Sequence, residues 1–109
     1  MLEENLSRGE RLYLRRWRNQ VSSWDASRAL GVDHRTYLQW ERDEIQGAPE
    51  IALERGLEPR EHYVILRFRA RLTVSDIAKA MGCTPRTITL QERGTTKHCR
   101  MLMEYWGDA

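Results

Sequence analysis

An internal repeat with a period of 51 residues constrains the fold of this 109-residue chain more than any other feature. The segment GVDHRTYLQWERD begins at Gly31, and the related segment GCTPRTITLQERG begins at Gly82. Within residues 10–42 and 61–93, a shift of 51 residues aligns ten identical positions, which are Glu10 with Glu61, Arg16 with Arg67, Arg18 with Arg69, Asp25 with Asp76, Ala29 with Ala80, Gly31 with Gly82, Arg35 with Arg86, Thr36 with Thr87, Glu41 with Glu92 and Arg42 with Arg93. Self-similarity at a fixed period indicates one supersecondary unit that is present twice.

Apolar positions also correspond between the two copies. The matched pairs are Leu14 with Ile65, Trp17 with Phe68, Val21 with Leu72, Leu30 with Met81, Val32 with Cys83 and Tyr37 with Ile88. Matching core positions predict matching folds. Because about 100–200 residues usually form one domain, we expect two small units, residues 1–58 and 59–109, packed together as a pseudo-dimer.

The second copy carries the local signals of consecutive short helices. Residues 60–70 place apolar side chains among arginines, which is typical of an amphipathic helix. Thr73 is a good N-cap for a helix over 74–81, with Asp76 three residues further on. Gly82 supplies the left-handed residue that ends such a helix.

A further helix is predicted directly after that glycine. Thr84 is its expected N-cap, and Pro85 lies in its first turn, where a missing N–H costs nothing. This helix should run to about Arg93 and end at Gly94. Two helices joined by a tight glycine turn form a helix-turn-helix.

The first copy repeats the same plan. Ser22 is the expected N-cap of a helix that reaches Leu30, and Gly31 ends it. Asp33 is the expected cap of the next helix, which runs to about Arg42. Residues 44–60 then join the copies and are predicted to contain a short helix around 49–55. No strand-like alternation of useful length occurs, so the predicted fold class is all-α, with two tandem helix-turn-helix units.

Composition excludes several classes of function. The net charge is only +2, so any nucleic-acid surface depends on where the basic residues lie. No apolar run is long enough to span a membrane, and the N-terminal residues lack an apolar signal segment. Cys83 and Cys99 form neither a CxxC motif nor a zinc pattern, which favours free thiols in a reducing cytoplasm. We predict no cofactor, no metal and no catalytic residues.

The stretch TVSDIAKAMGCTPRTITLQERG, residues 73–94, resembles the helix-turn-helix of the Cro/repressor-type (XRE-like) DNA-binding family. The resemblance is carried by Ala78, Gly82 and the Glu-Arg-Gly end at residues 92–94. The first copy has Gly31 and Trp-Glu-Arg at residues 40–42, followed by an aspartate where the family has glycine. The resemblance implies a DNA-binding transcriptional regulator, a repressor in the simplest case, from a phage or other mobile element of a bacterium.

The resemblance also assigns roles to particular residues. It implies that Arg16 pairs with Glu41, and Arg67 with Glu92, beneath the surface. The family opens its second helix with a glutamine that holds a DNA phosphate; that position is Ser23 or Val74 here, and only serine can donate a hydrogen bond.

Recognition helices read base edges through their first turns in the major groove. The residues predicted to reach base edges are His34, Arg35, Thr36, Gln39, Pro85, Arg86, Thr87 and Leu90. The residues predicted to contact phosphate are Ser22, Ser23, Arg42, Thr73, Arg93, Thr95, Thr96 and Lys97. Arginine pairs with guanine and glutamine with adenine, whereas proline and leucine make only apolar contacts. The two half-sites are therefore expected to differ.

Two alternatives concern protein partners. The apolar segment 101–106 is expected to be a helix that closes the second copy, or else a homodimer interface. Trp24, matched by Ser75, is expected to be partly exposed and is the other candidate for a dimer contact. The alternative function is an antiactivator that uses the helix-turn-helix fold to bind a transcription factor instead of double-stranded DNA.

Overall fold

The computed structural model describes residues 6–53, 55–94 and 100–107, and all regular structure in these residues is α-helical. This confirms the predicted all-α fold class. The helices are α1 (Arg8–Arg18), α2 (Ser23–Leu30), α3 (His34–Glu41), α4 (Pro59–Arg69), α5 (Val74–Met81), α6 (Pro85–Arg93) and α7 (Arg100–Trp106). Among these described helices, none has the length and apolarity that crossing a membrane requires.

The chain divides into two compact units, residues 1–56 (unit 1) and residues 57–109 (unit 2). The division falls two residues before the boundary expected from the sequence. In unit 1, α1 and α2 both pack against α3; in unit 2, α4 and α5 both pack against α6. The three helices that the repeat predicts in each copy therefore have corresponding partners.

Each unit has its own apolar core. The core cluster of unit 1 contains Leu12, Tyr37, Ala48 and Ile51, and that of unit 2 contains Ile77, Ala78, Ile88 and Leu102. Tyr37 and Ile88 are a matched pair of the repeat, and each is almost completely buried. Helix α7 packs on α5 and α6 through Leu102, which agrees with the expectation of a helix that closes the second copy.

The predicted caps Ser22, Thr73 and Thr84 and the glycine turns are confirmed, whereas Asp33 stands at the N-cap position of α3 without a capping bond from its side chain. The hydroxyls of Ser22, Thr73 and Thr84 accept hydrogen bonds from the backbone N–H three residues further on. Gly31 and Gly82 both adopt left-handed conformations, with φ of 72° and 69°, at the C-terminal ends of α2 and α5. Because an L side chain is strained at such φ angles, glycine is the residue that allows these two tight turns.

The predicted ion pairs are also confirmed. Arg16 donates to both carboxylate oxygens of Glu41 through Nε at 2.7 Å and Nη2 at 3.1 Å. Arg67 makes the same two bonds to Glu92 at 2.8 and 3.2 Å. The carboxylates are 2% exposed in both units. Each pair thus fixes the first helix of its unit to the end of the third helix.

The helix predicted around 49–55 is wrong. Residues 49–53 and residue 55 lie outside any helix, and Ala48 and Ile51 are buried in the core of unit 1. The guanidinium of Arg18 donates to the carbonyl oxygens of Arg55 and Gly56. These long-range bonds satisfy backbone groups that a helix would have paired locally, and they hold the segment in an irregular conformation.

The cap of α5 predicts a pH-dependent contribution to stability. Asp76 accepts a hydrogen bond from the Thr73 N–H at 2.9 Å, and this bond, with that of the Thr73 hydroxyl, lowers the pKa of Asp76. A carboxyl whose pKa is lower in the folded state stabilises that state above its unfolded pKa of about 3.9, and the stabilisation is lost as the pH falls. We expect Asp76→Asn to destabilise the protein near neutral pH and to be indistinguishable from the parent at about pH 2. Urea titrations across this range measure the difference, and an offset that is independent of pH would contradict the prediction.

Thr73→Ala, which removes the capping hydroxyl, should lower the free energy of unfolding by about 1 kcal/mol.

Candidate nucleic-acid interface

The turn between the second and third helices has the same hydrogen bonds in both units. The N–H of Val32 donates to the carbonyl of Ser27 at 3.1 Å, and the N–H of Cys83 donates to that of Ala78 at 2.9 Å. Val32 and Cys83 are partly buried against the cores, as the sequence predicts. This shared turn positions α3 on α2 in the same way as α6 on α5.

Helix α3 brings most of the predicted base-reading residues of unit 1 to one surface. Arg35 is exposed, and His34, Thr36 and Gln39 are half-buried. A shallow depression on this surface, which we call the α3 face, is lined by Trp24, Asp33, His34, Arg35, Leu38, Gln39, Arg42 and Glu44. The predicted phosphate ligand Arg42 therefore lies beside the predicted base readers.

His34 is held by two contacts that the sequence did not predict. Its ring stacks on Trp24, with centroids 3.6 Å apart and planes 9° from parallel. Its Nε2 lies 2.7 Å from the Ser23 hydroxyl. The side chains expected to bind a phosphate and a base are thus hydrogen-bonded to each other. When His34 Nε2–H is the donor of this bond, the Ser23 hydroxyl can still donate to a phosphate.

Trp24 is one of the residues of the α3 face that sequence reasoning did not place there. It is 58% exposed, which confirms the predicted exposure. Trp24 lies in the first turn of α2 and His34 in the first turn of α3, and a propensity argument does not show which rings of two helices meet. With its other face exposed, the stacked pair presents a rigid apolar surface beside Arg35.

Asp33 adds a negative charge at the N-terminus of α3. It lies at the predicted N-cap, and its carboxylate accepts a hydrogen bond from the Thr36 hydroxyl. This hydrogen bond lowers the pKa of Asp33, so the group is ionised at neutral pH. The charge repels a phosphate placed directly at the helix end, and it therefore restricts how a polyanion can approach. Thr36 is engaged by this bond and is half-buried.

Unit 2 presents a different recognition surface. Pro85 and Arg86 are exposed on α6, and Thr87 and Leu90 are half-buried. The hydroxyl of Thr87 lies 3.1 Å from that of Thr84, which caps the helix. Of the four residues predicted to read bases from α6, Arg86 alone carries a charge.

The predicted phosphate ligands differ in their surroundings. Ser22 and Thr73 are exposed, and each uses its hydroxyl oxygen as a helix cap. Arg93 is half-buried, whereas Arg42 is exposed. Val74 is half-buried against the core of unit 2, which accounts for valine at a position where the family has glutamine. Thr95, Thr96 and Lys97 lie outside the described residues.

Within residues 6–53, 55–94 and 100–107, no three His, Cys, Asp or Glu side chains come close enough together to hold a metal ion. Cys99 and its neighbours lie outside these ranges.

Comparison with protein-family models, curated proteins and solved structures finds no match for this chain. Its likeness to XRE-like regulators therefore rests on the residues quoted from the sequence, and membership of that family stays a prediction.

Proposed function

We propose that this chain is a sequence-specific transcriptional regulator of the bacterial cytoplasm that binds double-stranded DNA and represses by covering a promoter. The observation that carries the proposal is the α3 face. There, an exposed arginine, a half-buried glutamine and a second arginine lie on the helix that follows a left-handed glycine turn. A helix of this kind fits the major groove.

The chemistry of the α3 face suits a mixed base sequence. Arg35 can form two hydrogen bonds with the O6 and N7 atoms of guanine, and Gln39 can do the same with the N6 and N7 atoms of adenine. Arg42 supports the complex through phosphate, which sets register and adds salt dependence. The stacked Trp24 and His34 rings supply an apolar contact of the kind that a thymine methyl group accepts.

Helix α6 supports a second half-site with different requirements. Arg86 is its one charged base reader, whereas Pro85 and Leu90 offer apolar contacts only. If both units bind, the two half-sites are unlike, and the operator is asymmetric. Footprinting of a selected site checks this expectation, and a strictly palindromic footprint under a single chain would count against it.

A titration of the full chain with duplex DNA tests the proposed function. A site is first selected from a random duplex library, and binding is then followed by fluorescence anisotropy at about 50 and about 200 mM salt. We expect saturable binding that weakens steeply with salt. Arg35→Ala should weaken specific binding by about 1–3 kcal/mol, because it removes a bidentate base contact. Arg86→Ala should act more weakly if α6 reads its half-site mainly through apolar groups.

Arg28→Ala is the matched control for both variants. Arg28 is an exposed arginine of α2 that pairs loosely with Asp25 and lies outside the α3 face. The Arg28→Ala substitution removes the same charge as Arg35→Ala. An equal loss of DNA affinity in both variants would therefore indicate general electrostatic attraction only. Absence of saturable binding at low salt would refute the proposed function and would favour the antiactivator alternative, which the Asp33 charge and the apolar α6 surface support.

A further inference from the structure

Unit 1 has an open apolar groove between α1 and α2, away from the α3 face. It is lined mainly by Leu12, Arg15, Val21, Ala26, Leu30 and Tyr37, and its volume is about 240 Å³. Leu30 is 40% exposed there, which is high for a large apolar side chain. We call this feature the α1–α2 groove; none of its lining residues belongs to the α3 face.

The repeat shows what fills the corresponding place in unit 2. Leu12, Val21 and Leu30 are matched at offset 51 by Tyr63, Leu72 and Met81. Those three side chains pack around the unit 2 core together with Tyr105 and Trp106 of α7. An amphipathic helix bearing aromatic residues therefore packs on the same core as these three side chains in one copy of the fold.

The matching segment of unit 1 does not provide such a cover. Ile51 corresponds to Leu102 and is buried in the same way, so the beginning of the segment is retained. Further along, however, Arg55 stands where Trp106 stands in unit 2, and Arg55 is exposed. Its carbonyl oxygen is bonded to Arg18, which directs the segment away from a helical path.

The charge at the rim of the groove indicates the chemistry of an occupant. Arg15 is exposed and lines the groove, at a position where unit 2 has Leu66. Arg16 also lines it but is paired with Glu41, and none of the described side chains that line the groove is acidic. The groove is thus apolar in its floor and positive at its rim, which complements an apolar side chain flanked by carboxylates.

We propose that the α1–α2 groove is a docking site for an amphipathic helix of a partner protein, which inserts an aromatic side chain and places a carboxylate beside Arg15. The volume is below the range of about 300–1,000 Å³ typical of pockets for small ligands, and it suits one inserted side chain. Helix-in-groove binding uses apolar anchors three or four residues apart, the spacing of Leu102, Tyr105 and Trp106 in α7. This site is independent of DNA binding and goes beyond the proposed function.

A synthetic peptide tests this site on the full chain. The probe is a fluorescein-labelled helical peptide of residues 100–107, closed by a side-chain lactam and extended by two glutamates at each end. We expect saturable binding with a Kd below about 100 μM. A Trp106→Ala version of the peptide should bind at least tenfold more weakly, because the anchoring ring is lost. Arg15→Glu in the protein should also weaken binding about tenfold.

Arg28→Glu is the control for charge reversal, because Arg28 is exposed on α2 but does not line the groove. It should leave the Kd within about twofold. Equal losses for Arg15→Glu and Arg28→Glu, or no saturation at millimolar peptide, would overturn the proposal. The proposal would also be overturned if the chain self-associates and Leu30→Asp converts it to a monomer, because a second copy of the chain would then occupy the groove. The Arg15→Glu protein is also titrated with duplex DNA. Because the α3 face is unaltered in this variant, a loss of peptide binding alone concerns the α1–α2 groove and does not bear on the proposed function.

Discussion

Glu92→Gln is expected to lower the free energy of unfolding by about 3–5 kcal/mol, because it removes the carboxylate charge to which the buried Arg67 guanidinium is bonded. Arg67 is only 12% exposed, and both of its short hydrogen bonds end on the Glu92 carboxylate. A glutamine side chain can accept one of these bonds but turns an NH2 group toward the other donor. Urea denaturation followed by far-UV circular dichroism measures the loss, with an unchanged m-value if only stability changes.

Two controls separate burial from charge in this experiment. Glu104→Gln makes the same chemical change at an exposed site on α7 and should cost less than about 0.5 kcal/mol. The double variant Arg67→Met with Glu92→Leu removes both charges and should be close to the parent in stability, since paired apolar replacements of buried ion pairs are often neutral or stabilising. Equal effects of Glu92→Gln and Glu104→Gln would show that the pair contributes little.

The features predicted correctly from sequence have local causes or are repeated. A Thr-x-x-Asp cap followed by a glycine stop is contained within ten residues, so Thr73, Asp76 and Gly82 define α5 without knowledge of the rest of the chain. The Arg–Glu pairs are long-range, and their prediction rests on the resemblance to XRE-like proteins, with support from the identical residues at the same offset in both copies.

The linker and part of the candidate site depend on contacts that no local pattern encodes. The segment 49–55 is compatible with a helix by composition, yet burial of Ile51 and the bonds of Arg18 to two distant carbonyl groups determine its path. The stack of His34 on Trp24 likewise depends on the angle at which α2 meets α3. Periodicity in the sequence identifies which face of a helix is buried, but it does not give the angle between two helices accurately enough to show which rings stack.

Asp43 shows how a departure from a pattern can have a structural reason. Unit 2 has Gly94 at the matching position, and Asp43 adopts the left-handed φ of 57° that normally favours glycine. Its carboxylate accepts hydrogen bonds from the Ser7 hydroxyl and from the N–H of Gly9 at the start of α1. These hydrogen bonds pair groups at the N-terminus of α1 and so offset the backbone strain at Asp43. In unit 2 the matching residue is Gly94, whose φ is also positive but which has no side chain to make such bonds.

Gly9, at the contact between the start of α1 and the end of α3, carries the second large expected effect. Gly9→Ala should lower the free energy of unfolding by about 3 kcal/mol. Gly9 is buried within the first turn of α1, where helix propensity alone would make alanine stabilising by about 1 kcal/mol. A methyl group at this position would, however, overlap the backbone carbonyl oxygens of Trp40 and Glu41. Because these atoms belong to the end of α3, relief of the overlap would shift α1 away from α3 and disturb the Arg16–Glu41 pair. Urea denaturation of the variant gives the sign as well as the size of the effect.

Gly31→Ala is the matched control, because it separates backbone strain from overlap. Gly31 has a φ of 72° and no atoms within 4 Å of an added methyl group, so its substitution should cost only about 1–2 kcal/mol of conformational strain. Gly9 is not among the glycines with positive φ, so strain of that kind does not arise there. A Gly9→Ala protein that is more stable than the parent would mean that α1 and α3 are not in this close contact. A loss larger than that of Gly31→Ala would instead identify close helix packing as the reason for a glycine inside α1.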